Sequence, residues 1–356
     1  MTQYSLGAGR RSSWAPSWPL ISTKLLEIRK RRVLIAIIVL ATVGVPAIVL
    51  GLREVFHLAD PKVYAPAGSP DAFRIVTGLM AEFGFIMAVT LGATAATTDL
   101  TDGMFRHLVI TGRSRLALYL ARIPAGLAII LPLAGLGFAV VCLVTAFLGI
   151  PQSAVVHQNG VSVPAYFDQA QLHSWLLRHP QQAQTGFLGA SPAPPTAAIR
   201  SQVNLHITTL YGAYATTEAG TINPSVTGMI KAGLWFELDL LIGFMVALGL
   251  GSLMGQRTVP IILLIFVEII ITPPLALHVL PYFIDGQRLL VGVAMDQLQP
   301  ASLTGALTIR PGLGGAPVGP ALQIPPMPTW AMITVIAGWI AGWSSIGAWR
   351  MITRDA

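Results

Sequence analysis

Val33–Leu52 reads VLIAIIVLATVGVPAIVLGL, 20 residues without a charge. At 1.5 Å per residue, a helix of this length covers the ~30 Å hydrocarbon core of a bilayer. Five further apolar stretches follow: Ile75–Thr97, Leu116–Leu148, Leu234–Met254, Val259–Leu280 and Trp330–Trp349. Each supplies the length one crossing requires. A helix is the natural spanning form, because lipid offers no partner to a backbone N–H or C=O. The expected fold is therefore an all-α polytopic membrane protein with six transmembrane helices.

Composition agrees. Hydrophobic residues make up 54% of the 356-residue chain, charged residues 10%, and mean hydropathy is +0.68. Soluble domains carry about 25% charged residues. The net charge of +7 does not point to nucleic acid, since the basic residues sit at span ends and not on one soluble patch. Cys142 is the single cysteine, so no internal disulfide staples the loops. No cleavable signal peptide is expected, because Val33–Leu52 is long for a signal core and no cleavage site follows it. Arg in excess of Lys, with abundant Ala, Gly and Pro, suggests a GC-rich bacterial genome, so the expected location is a bacterial cell membrane.

Basic residues orient the spans. Arg10, Arg11, Lys24 and Arg29–Arg32 precede the first span; Arg106, Arg113 and Arg115 follow the second; Arg257 follows the fourth; Arg350 and Arg354 follow the sixth. All share one side if both termini are cytoplasmic. The chain then divides into a cytoplasmic tail with an amphipathic connecting helix (1–32), spans one to three (33–148), an extracytoplasmic insertion (149–233), spans four and five (234–280), an extracytoplasmic or re-entrant segment (281–329), and span six with a short tail (330–356).

Within the insertion, Gln169–Arg178 and Ala197–Tyr211 read as short helices, and the Pro-, Ala- and Gly-rich Gly186–Thr196 as irregular. The segment reads as too small and too polar for a domain of its own. Asp285–Leu298 has helical spacing of apolar residues, as a re-entrant or interfacial helix or as a surface loop with one amphipathic turn. Small residues recur at every fourth position in Gly84–Ala96, Gly243–Gly255 and around Gly338 and Gly342. Such stripes let helices approach closely, within the bundle or at a subunit seam.

Two cytoplasmic elements carry the functional reading. In Ser17–Arg32, Ile21, Leu25 and Ile28 recur on one helical face amid basic residues, and Trp14 and Trp18 suit the interface. This reads as an amphipathic helix on the inner leaflet. The second is Thr98–Leu108 (TDLTDGMFRHL), followed by Thr111-Gly112-Arg113-Ser114-Arg115. Asp99 or Thr101 caps a short helix containing Met104, Phe105 and Leu108, and Ser114 caps the third span.

Asp99–Arg115 resembles the cytoplasmic segment of type-2 ABC exporter permeases. Asp102-Gly103, Leu108 and Arg113-Ser114-Arg115 carry the likeness, and Thr111-Gly112 stands where many members have a proline-containing turn. Six spans, internal termini and an amphipathic N-terminal helix accord with it; the 149–233 insertion does not. The resemblance implies a permease subunit paired with a second copy or a similar permease and with separate ATPase subunits. Asp99, Asp102, Gly103, Met104, Phe105, Arg106, Leu108, Arg113 and Arg115 would form the ATPase-coupling site. ATP and Mg would bind the partner, because this chain has no G-x-x-x-x-G-K-[ST] loop.

Glu82, Asp239 and Glu268 fall within spans, where a charge costs ~2.5–3.5 kcal/mol on insertion scales and faces a cavity or partner. They are candidate pathway residues for an amphipathic, hydrophobic or cationic compound; the alternative is polar contact between helices. Glu237 lies two positions from Asp239 and points elsewhere. No basic residue is expected equally deep, since Arg74, Arg122 and Lys231 lie near span ends. Enzyme readings fare poorly. The seven histidines form no H-E-x-x-H, a lone cysteine makes no cysteine-rich zinc site, and G-x-S-x-G is absent. The competing reading is an ATP-independent channel-like or scaffold subunit.

Overall fold

The computed structural model describes residues 15–61, 63–101, 114–149, 155–165, 167–189, 196–267, 288–300, 303 and 327–353, without the side chains of 100, 101, 216 and 218–221. In chain order the elements are α1 (Trp18–Lys30), α2 (Arg32–Ala59), α3 (Pro70–Thr101), α4 (Arg115–Leu148), a hairpin of β1 (Val155–Gln158) and β2 (Val161–Pro164), α5 (Gln169–Arg178), α6 (Pro180–Ala183), α7 (Thr196–Thr221), α8 (Val226–Met254), α9 (Thr258–Phe266), α10 (Val291–Gln297) and α11 (Thr329–Thr353).

Five described helices are long and apolar enough to cross a membrane: α2, α3, α4, α8 and α11. The fifth expected span, Val259–Leu280, begins as α9 and is described only through Val267. The protein is thus helical and multi-pass. Its outer face is apolar: Val33 is 74% exposed, Leu143 55%, Phe147 81% and Ile262 62%. Water would oppose that surface and lipid accepts it.

Local chemistry sets the helix ends. Ser114 and Ser225 accept hydrogen bonds from Ala117 and Gly228 N–H, which caps α4 and α8. Gly255 ends α8 at φ 71, a left-handed conformation that glycine adopts without strain. Inside α2, Pro46 has no N–H for the carbonyl of Thr42 four residues earlier, and the helix widens into a π turn at Leu40–Gly44. The Thr42 carbonyl lies against Gly137 of α4, where a Cβ would come within 1.9 Å of it.

α8 is the central helix, packed chiefly on α3 and α11. The expected stripes meet here. A Cβ on Gly92 would lie 2.4 Å from the Phe244 carbonyl, and one on Gly251 would lie 2.7 Å from the Ala96 side chain. Two of the three stripes therefore serve packing within the bundle. The third meets no neighbour among the described residues: side chains added at Gly338 or Gly342 would find nothing there within 4 Å, and Ala337, Ala341 and Ser345 beside them are exposed.

The two long segments between spans, 149–233 and 281–329, differ from expectation. The insertion has its own apolar core, in which Val156, Val163, Leu172, Leu176, Ala183 and Val203 are buried. Tyr214 pins it, donating to the Pro164 carbonyl at 2.9 Å and accepting from the Phe167 N–H at 3.0 Å. Its polarity is carried by outward faces, which is why composition alone understated it. The β hairpin turns through Asn159 (φ 47) and Gly160 (φ 79), a pair suited to a tight hairpin turn. α5 matches expectation, a π turn at Gln184–Leu188 takes in the first three residues of the stretch expected to be irregular, α7 runs ten residues beyond Tyr211 to Thr221, and α8 begins before Gly233.

Helix α10 starts at Val291, later than the expected Asp285. Arg288 and Leu289 form a turn, Leu290 is extended, and residues 285–287 lie outside the described residues. The segment is nevertheless tucked into the bundle. Trp235 of α8 donates its indole N–H to the Met295 carbonyl, and Trp339 of α11 donates to the Leu289 carbonyl, each at 2.8 Å. Trp339 lies ten residues into α11, about 15 Å from its start.

Candidate functional site

The feature that composition hid lies where α1, α3, α4 and α11 converge at the basic end of the bundle. Lys24 sits between Leu20 and Ile28 on the buried face of α1. Asp99 is in the last turn of α3, and Arg122 is two turns into α4. The Asp99 and Arg122 side chains are 3% and 1% exposed.

One carboxylate serves two cations. Arg122 Nη2 donates to Asp99 Oδ2 at 2.7 Å, and Lys24 Nζ donates to Asp99 Oδ1. Lys24 also reaches Glu27 Oε2 at 2.8 Å. Arg122 Nη1 donates to the Ala96 carbonyl at 2.7 Å and lies 4.0 Å from the Met351 sulfur of α11. Arg115, the first residue of α4, donates to the Ile352 carbonyl of α11 at 3.0 Å. Two cations and two anions balance, which a buried cluster requires, because a lone charge there keeps its desolvation cost.

Three expectations are corrected. Asp99 does not cap a following helix: α3 continues through it to Thr101, and its carboxylate turns inward to Lys24 and Arg122. Arg122 is not merely a span-end charge; it is among the most completely buried side chains described. The apolar face of α1 also does not rest on lipid alone, since Leu20 and Ile28 are buried against the bundle, chiefly by α4. Asp102, Gly103, Met104, Phe105, Arg106, Leu108 and Arg113 lie outside the described residues, between Thr101 and Ser114.

Of the pathway candidates, Glu82 of α3 and Asp239 of α8 are buried at 6% and 2% exposure on helices packed against each other. Glu237 turns toward Gly135 of α4, where a Cβ would lie 3.1 Å from its carboxylate. Glu268 lies outside the described residues. Among the described residues, no three His, Cys, Asp or Glu side chains gather as a metal site. No protein-family model, curated protein or solved structure matches the chain.

Proposed function

We propose that the chain is the transmembrane permease subunit of an ATP-driven exporter of the type-2 ABC kind, set in a bacterial cell membrane with both termini in the cytoplasm. A separate ATPase binds ATP and Mg and seats on Asp102–Leu108, and a second permease copy or a similar permease completes the path. The exposed Ala337–Ser345 face of α11 favours such a pairing. The cargo is an amphipathic or hydrophobic compound, with Glu82, Asp239 and Glu268 along its route.

The observation that carries this reading is the Lys24–Asp99–Arg122 cluster. Residues 102–113 join the end of α3 to the start of α4, and the cluster fastens those two ends to each other and to α1. A load applied to 102–113 by a partner is delivered to both spans as one body. A plain topological loop needs no buried three-way ion pair at its base.

The test is reconstitution of the chain with the ATPase encoded beside it, followed by binding and ATP hydrolysis in vesicles. Phe105→Asp is expected to abolish both binding and any stimulation of hydrolysis, while the chain keeps its own thermal stability. Equal binding and hydrolysis with wild-type chain and Phe105→Asp would exclude this segment as the coupling site.

A further inference from the structure

A second basic feature lies beside the α1–α2 junction. A groove of about 650 Å³ opens between the start of α2, the last third of α3 and the start of α9. It is lined by Lys30, Arg31 and Arg32 from one side and Arg257 from the other, with no acidic residue lining it among the described residues. Its wall is apolar and faces outward: Val33 is 74% exposed, Ile37 46% and Ile262 62%. Thr90 and Thr94 of α3 also line it.

The order of chemistry along the groove matters. The cations end where the apolar helices begin, at Arg32 before Val33 and at Arg257 before Val259. Ile37 and Ile262 lie about one turn further along. Positive charge thus stands at the end of the hydrophobic surface, where lipid headgroups sit, and the surface beyond it is bare hydrocarbon. Cations drawn from two distant parts of the chain converge on one opening, which alignment of a single span does not require.

We propose that this groove holds the phosphate headgroup of an anionic glycerophospholipid between Lys30–Arg32 and Arg257, with its acyl chains along Val33, Ile37 and Ile262. A soluble phosphate would satisfy the rim and leave the apolar wall unused; a phospholipid satisfies both. The site rests on the membrane reading alone and holds with or without an ATPase partner.

The experiment is native mass spectrometry of the full chain in mild detergent, titrated with palmitoyl-oleoyl phosphatidylglycerol and, separately, with the phosphatidylcholine of the same chains. The first phosphatidylglycerol should bind at least tenfold more tightly than the phosphatidylcholine, by electrostatics of roughly fivefold per cation. Arg32→Gln with Arg257→Gln should weaken it about 25-fold on the same scale, and Arg32→Lys with Arg257→Lys should keep most of the preference. Arg200→Gln, on α7 of the insertion, should change nothing. Arg257→Gln alone, on the exposed turn before α9, should cost about fivefold and keeps the test decisive if the double variant does not fold. Equal affinity for the two lipids, or an unchanged preference in the Gln variants, would overturn the proposal. So would displacement of the lipid by millimolar inorganic phosphate, which would assign the groove to a soluble anion.

Discussion

Replacing Asp99 by Asn removes the one anion that Arg122 and Lys24 share while keeping nearly the same shape. At 2.7 Å and an effective dielectric of about 20, the Arg122–Asp99 attraction alone is about 6 kcal/mol. Much of that is offset by desolvation of both ions, already incurred when the bundle forms. Removing one partner leaves the other buried and uncompensated, at about 3–5 kcal/mol. That is a large share of the 5–15 kcal/mol by which folded proteins are usually stable. Asp99→Asn and Arg122→Gln should each destabilise by about that amount in denaturant unfolding in mild detergent, followed by tryptophan fluorescence and circular dichroism. The double variant should lose about 3 kcal/mol less than the sum, since the second substitution removes a charge already without its partner. Strict additivity, or single losses below about 0.5 kcal/mol as at exposed ion pairs, would refute a buried and mutually dependent cluster.

Other substitutions probe separate parts of the structure. Gly137→Ala pushes a Cβ into the Thr42 carbonyl and should destabilise the α2–α4 contact by about 1–3 kcal/mol, read as a lower thermal midpoint in detergent; an unchanged midpoint would mean the helices are not so close. Tyr214→Phe removes the hydroxyl that serves both Pro164 and Phe167, and should cost about 1–3 kcal/mol. Limited proteolysis should locate the loosening within the insertion and leave the spans resistant. Glu82→Gln and Asp239→Asn should lower yield and leave transport per molecule intact if the acids only join helices; selective loss of transport at normal yield assigns them to the pathway.

Some of this structure is written locally in the chain. The spans are legible because an apolar run long enough to cross lipid needs no knowledge of its neighbours. The Gln169–Arg178 helix is legible because Asp168 and Gln171 form a capping box that fixes its start. The hairpin has a local signal as well, Asn159-Gly160 between strands that carry Val155, Val156, Val161 and Val163. The charge cluster is different. Lys24 and Asp99 are 75 positions apart, Asp99 and Arg122 are 23 apart, and nothing in either neighbourhood names the other. The one local clue is that Lys24 falls on the Leu20–Ile28 face, where a buried ammonium needs an acid to meet it. The core of the insertion was hidden for a related reason. Val156, Leu172, Val203 and Tyr214 are spread over three elements, and their apolar faces become one core only after the chain has folded.

Affinity purification of the tagged chain from its native membrane in gentle detergent, with identification of every co-purifying protein, bears most directly on the proposed function. A stoichiometric ATPase that is retained by wild-type chain and lost with Phe105→Asp is the expected result. A well-folded chain that brings down no ATPase, and gains none when the neighbouring ATPase is supplied, would contradict the exporter reading and favour a channel-like or scaffold subunit.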